Sequence, residues 1–124
     1  MKLFILRPDS ITAMADFIGT DEPEILLDVV NTFLSDAEQN IGRMRMALVD
    51  GNDMLLYRAA HSLKSSSAII GAEELSILAE HLEVVMRKQV EDVDRPSAVE
   101  AIATAMQKVE IELRKQFDLH RVPG

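Results

Sequence analysis

Apolar side chains return every third or fourth position through four long stretches of this sequence, and each stretch is bracketed by residues that start or stop helices. That period puts them on one face of a helix, whereas a half-buried strand alternates every second residue. The longest stripe is Leu26, Val30, Phe33, Ala37, Ile41, Met44 and Leu48, and it ends at Gly51. Asp21 is expected to cap it, with Glu24 reaching back and Pro23 in the first turn, where a missing N–H is harmless. Asn52 or Asp53 caps the next stripe, made of Leu56, Ala59 or Ala60, Leu63, Ser67 and Ile70, which stops at Gly71. Leu75, Leu78, Leu82 and Val85 follow, with Glu73 and Glu74 beside the positive end of the helix dipole. Asp94, Pro96 and Ser97 mark the last boundary, with Ser97 and Glu100 as a capping box before Val99, Ile102, Met106, Val109, Leu113 and Phe117. Ahead of all four, Asp9 or Ser10 caps a short helix carrying Ile11, Met14, Phe17 and Ile18 on one face and ending at Gly19.

Links of only a few residues make consecutive helices antiparallel neighbours. The expected fold is therefore all-α: an antiparallel up-and-down four-helix bundle with a short extra N-terminal helix lying across it. A length of 124 residues suits one domain, residues 1–124, with a core of its own. With 48% hydrophobic residues, 4% aromatic and no Trp, that core must be Leu, Ile, Val, Met and Ala, and a β fold would lack its favoured residues. The tail from His120 to Gly124 is expected to be loose.

Charge and cysteine narrow the function. A net charge of -8 repels polyanions, so nucleic acid is a poor partner. Without Cys there is no disulfide, thiolate nucleophile or thiolate zinc site. The opening MKLFILRPDS is interrupted by Arg7, Pro8 and Asp9 before a signal-peptide core would be complete, and nothing else reads as a membrane span. A soluble, cytoplasmic protein with no membrane insertion is expected.

One segment does not fit a purely structural reading. Ala59 to Gly71, AAHSLKSSSAIIG, spends the middle of a helix on a histidine, a lysine and three serines, at a cost in helix propensity. His61 lies off the Leu56, Leu63, Ile70 stripe and should point outward, with Tyr57, Arg58, Lys64 and Ser65 as its helical neighbours. Antiparallel pairing about the turn at Gly71 and Ala72 puts positions that sum to about 143 at one level, so His61 faces Leu82 and Glu83. Similar reasoning about Gly51 brings Ile41, Gly42 and Arg45 to that level, with the glycine thinning the wall. Taken singly, each residue has a bland reading: a solvated histidine, a solvated lysine, a surface glutamate, and a Ser66 or Ser67 that lets helices pack closely. The combination is what points to chemistry.

These residues resemble the histidine-containing phosphotransfer, or HPt, domains of bacterial-type phosphorelays. The family signature runs close to A-H-x-L-K-G-S-[SA]-x-x-x-G, then L-x-x-L-[AC]-x-x-[LI]-[EQ]. Ala60, His61, Leu63, Lys64, Ser66, Ser67 and Gly71 match the first part, and Leu75, Leu78, Ala79, Leu82 and Glu83 the second. The resemblance implies that His61 accepts and donates a phosphoryl group, that Lys64 stabilises it, and that Glu83 supports the imidazole. It implies response-regulator receiver domains and a hybrid sensor histidine kinase as partners, with the aspartate and Mg²⁺ supplied by the receiver and no cofactor on this chain. The one departure is Ser65, where the family usually has Gly; its hydroxyl can crowd a partner or donate to phosphoryl oxygens.

Neutral imidazole is a nucleophile that needs no activating base, and phosphoryl transfer is mostly positioning and electrostatics. The five glycines are scattered and form no nucleotide loop, so a carrier without autokinase activity is expected, and a monomer suffices. Three rivals stand beside it. A transfer-inactive module of the same fold, sequestering a receiver or kinase, has Ser65 as its only support. A metal-carboxylate bundle enzyme needs Glu-x-x-His pairs, which do not occur, and His81 lies off its helix's stripe. The phosphoacceptor domain of a chemotaxis-type kinase fits the motif less well, and no kinase domain follows. Partner specificity is expected from exposed residues around His61, among them Tyr57, Arg58, Arg45 and the leading helix.

Overall fold

The computed structural model describes residues 2–117, and five helices account for most of them: α1 (Ser10–Ile18), α2 (Pro23–Asp50), α3 (Asp53–Ile70), α4 (Glu73–Lys88) and α5 (Arg95–Phe117). The tail from His120 lies outside the described residues. α2 packs against α3 and α5, α4 packs against the same two, and the diagonal pairs do not approach one another closely through their backbones. This is the four-helix bundle expected, with α1 laid against α2 and α3.

The stripes become the core. Leu26, Val30, Phe33, Ala37, Ile41 and Met44 of α2, Leu56, Leu63 and Ile70 of α3, and Leu75, Leu82 and Val85 of α4 are all buried, as are Val99, Ile102, Met106, Val109 and Leu113 of α5. Leu48, Leu78 and Phe117 are only partly buried at the edge of this cluster. α1 departs from its expected face: Met14 is fully buried, but Phe17 is 70% exposed and Ile11 is exposed too. A helix that lies across a bundle rather than along it presents only part of its stripe to the core: Met14 is buried, Ile18 is half-buried against it, and Ile11 and Phe17 overhang.

The helix starts differ from the sequence reading in three places. Proline excludes its predecessor from helical conformation, so Glu22, extended at φ -63° and ψ 121°, takes the cap position ahead of Pro23. Asp21 does not cap; the Thr20 hydroxyl accepts the Glu22 N–H at 3.2 Å. Asp9 precedes α1, yet its carboxylate turns to the Arg7 guanidinium at 3.0 Å instead of capping. For α5 the cap is Asp94, which accepts the Ser97 N–H at 3.0 Å and the Ser97 hydroxyl at 2.7 Å. Ser97 is thus the third helical residue rather than the cap, and Glu100 pairs with Arg45. Asn52 caps α3 as expected, its side chain accepting the Leu55 N–H at 3.0 Å.

Residues 2–9 tie down the α3–α4 turn. Arg7 N–H donates to the Gly71 carbonyl at 2.9 Å, and the Phe4 carbonyl accepts the Glu74 N–H at 3.1 Å. The start of α4 has no side-chain cap, so this irregular segment satisfies one of its open donors. Gly71 makes the approach possible. Its φ is +83°, and a Cβ there would sit 3.3 Å from Ser10 Cβ and 3.4 Å from Arg7 Cβ.

Candidate functional site

Three side chains from two helices meet on the α3–α4 seam. His61 and Lys64, three residues apart, stand on one side of α3, and Glu83 reaches them from α4. His61 Nδ1 lies 3.3 Å from Glu83 Oε1, and Lys64 Nζ lies 2.8 Å from Glu83 Oε2. Side-chain exposure falls from 54% at His61 through 29% at Lys64 to 5% at Glu83. The imidazole is therefore reachable from solvent while the carboxylate that touches it is buried.

A buried carboxylate is tolerated only when paired, and the bland surface reading of Glu83 gives way on this ground. Burial pushes the Glu83 carboxyl up, but the Lys64 ammonium and His61 pull it down and prevail, holding it below the usual carboxylate range. Oε2 has no well-aligned hydrogen bond. The Lys64 ammonium, 2.8 Å away, offsets its charge, and of three N–H donors at most one is directed at this oxygen.

With Nδ1 turned to the carboxylate, the ring's proton belongs there and Nε2 keeps its lone pair on the open side. Ser65 is exposed one turn further along α3, outside this triangle. Ser67 is fully buried, as a close-packing seam requires, and the Ser66 hydroxyl donates to the Leu63 carbonyl at 3.2 Å.

Gly42 and Arg45 do not join the site. They line a groove of about 430 Å³ with Ala103 and Met106 between α2 and α5, across the bundle from His61, and Arg45 pairs with Glu100 at 3.3 Å. A residue's level on α2 follows from the turn, but its rotation decides whether it looks toward α3 or α5, and these two look toward α5. His81 is exposed on α4. Among the described residues no three His, Asp or Glu side chains converge as a metal ion would require, and no helix is long and apolar enough to cross a membrane.

Two further contacts complete the surroundings, the first of which the sequence did not signal. The Ser76 hydroxyl, from α4, donates to the Lys64 carbonyl at 3.1 Å and stitches α4 to the turn of α3 that carries the lysine. Tyr57 stacks on the imidazole, with ring centroids 6.2 Å apart at 22°. Its position one turn before His61 was the available signal.

Three comparisons bear on this geometry. The family model described as Hpt domain matches residues 28–112. The phosphorelay protein LuxU of Vibrio harveyi is 34% identical over 77 residues, an alignment covering 60% of this chain and 63% of LuxU. The crystal structure of histidine-containing phosphotransfer protein B (HptB) from Pseudomonas aeruginosa PAO1 superposes with a TM-score of 0.81 at 22% identity, over 94% of this chain and 96% of that one. At that identity the likeness is one of fold.

Proposed function

The chain belongs to the Hpt domain family, and from that premise we propose that it is a phosphorelay phosphocarrier whose acceptor atom is Nε2 of His61. The phosphoryl group comes from the aspartate of a receiver domain or hybrid sensor kinase and passes to the aspartate of the next receiver. The Nε2 lone pair attacks phosphorus, the bond from phosphorus to the aspartate oxygen breaks, and the carboxylate leaves with that electron pair. The ring then carries phosphorus on Nε2 and hydrogen on Nδ1. Glu83 faces that N–H and offsets the positive charge the ring acquires. Lys64, paired with Glu83 at rest, supplies positive charge beside the equatorial oxygens of a loose transition state. The hydroxyl of Ser65, exposed one turn on, can donate to the same oxygens or crowd the incoming partner.

The observation that carries this reading is the Nδ1 to Glu83 contact on a half-exposed imidazole, which turns the nucleophilic nitrogen outward. Mg²⁺ in this scheme is the receiver's, and the chain brings no cofactor of its own. We place the reaction in the cytoplasm with a monomeric carrier, and we assign it no kinase activity. The test is transfer from a ³²P-labelled receiver. Wild-type protein should take up acid-labile label and His61→Gln none, with equal helical content. Label taken up equally by His61→Gln would refute the assignment; no uptake by either would favour a module that binds receivers without transfer.

A further inference from the structure

Tyr57 lies in an offset stack beside the imidazole and has no part in the scheme above. It is the only tyrosine in the chain, one turn before His61 on α3. The 6.2 Å, 22° geometry lies within the range of stacked aromatic pairs. Its neighbours Leu56, Ala59 and Leu63 are buried, whereas Tyr57 is only partly so. It packs against the edge of the core and also forms one wall of an open depression of about 280 Å³ on the α3–α4 seam, with Met54, Met86 and Arg87.

An imidazole on a helix surface has two free torsions, and the Glu83 contact at Nδ1 restrains only an edge of the ring. A ring held at one edge can still swing about that contact. A stack on the face removes that freedom, because swinging would separate the two rings. On the other side of His61, toward the C-terminal end of α3, stand Ser65 and Ala68, both exposed and small. The site is thus walled at one end and open at the other.

We propose that Tyr57 is a positioning residue for His61: it grips one face of the ring, keeps Nδ1 on Glu83 and Nε2 outward, and leaves the Ser65 and Ala68 side as the approach for the phosphoryl group. The approach rests on the phosphocarrier reading; the ring's position does not. Tyr57→Phe keeps the stacking face, Tyr57→Ala removes it, and Tyr57→Leu retains apolar volume without a π face if the Ala variant fails to fold.

Long-range ¹H–¹⁵N spectra of the unphosphorylated protein read the His61 tautomer directly. Wild type and Tyr57→Phe should show one tautomer with hydrogen on Nδ1. Tyr57→Ala and Tyr57→Leu should show the two nitrogen shifts drawn together, as a roughly twofold to tenfold change in a local equilibrium would produce. Receiver-to-His61 transfer should fall with the same ranking, Phe at the wild-type rate and Ala and Leu slower. A wild-type spectrum in the Ala and Leu variants overturns the proposal, as does a Phe variant that behaves like Ala. Because the spectra need no phosphoryl group, a His61 that is never phosphorylated would sink the carrier reading and not this one.

Discussion

Replacing Glu83 by Gln isolates the one charge that the fold has buried at the site. Gln keeps the shape and an oxygen for Nδ1, so only the carboxylate's charge is lost. Across the 2.8 Å gap to Lys64, the gross attraction at an effective dielectric of about 20 is about 6 kcal/mol. Desolvation of the carboxylate cancels most of it, and the lysine, 29% exposed, can turn to water when its partner goes. The net loss should fall between that of an exposed pair and that of a fully buried one, at about 1–2 kcal/mol. For a chain of this size that lowers Tm by about 3–10 °C at pH 7. The loss should also depend on pH in a definite direction. The folded state lowers the Glu83 carboxyl below its usual value of about 4.5, with Lys64 and His61 outweighing burial. Its contribution is therefore complete above that value and is lost as pH falls through the lowered folded-state value. Thermal unfolding followed by circular dichroism at pH 7 and pH 3 should show a wide gap between wild type and Glu83→Gln that narrows in acid. An equal gap at both pH values, or a variant more stable at pH 7, would refute the reasoning.

Lys64→Ala should stay folded but with lowered stability, because the buried Glu83 carboxylate loses its ammonium partner, and should slow transfer from a phosphorylated receiver by roughly tenfold to a hundredfold, the range for losing a hydrogen bond to a charged group; stopped-flow rates decide, and an unchanged rate would reduce Lys64 to a partner of Glu83. Gly71→Ala should cost about 1–2 kcal/mol in urea unfolding from its left-handed φ alone, with a further penalty from the Cβ contacts with Ser10 and Arg7. Asn52→Ala should cost about 1 kcal/mol by the same measurement, because the Leu55 N–H loses its acceptor, and should leave transfer unchanged.

Much of the site was legible because helices quantise position. The spacing of His61 and Lys64 fixed a shared face, and the short turn at Gly71 fixed the level of α4, so Glu83 fell opposite His61 to within one residue of the expected position. The same logic failed for Gly42 and Arg45, since α2 touches two neighbours and its stripe does not say which flank faces which. The burial of Glu83 could not be read from its own residue type; it follows from having Lys64 and His61 within reach. The clamp made by residues 2–9 has no periodicity to detect, because its main-chain bonds to Gly71 and Glu74 and its contacts with the Glu73 carboxylate depend on where the α3–α4 turn lies. Caps were legible where a side chain had one option, as at Asn52, and misread where several acids and a proline competed, as at Asp21 and Glu22.

The central claim is that the outward nitrogen of a half-exposed imidazole takes the phosphoryl group while the inward one keeps its proton on Glu83. The most direct measurement is ³¹P and ¹⁵N spectroscopy of the ¹⁵N-histidine-labelled protein after phosphorylation by a receiver. The expected result is phosphorus coupled to Nε2 of His61 with Nδ1 still protonated. Phosphorus on Nδ1, or on any other residue, would contradict it.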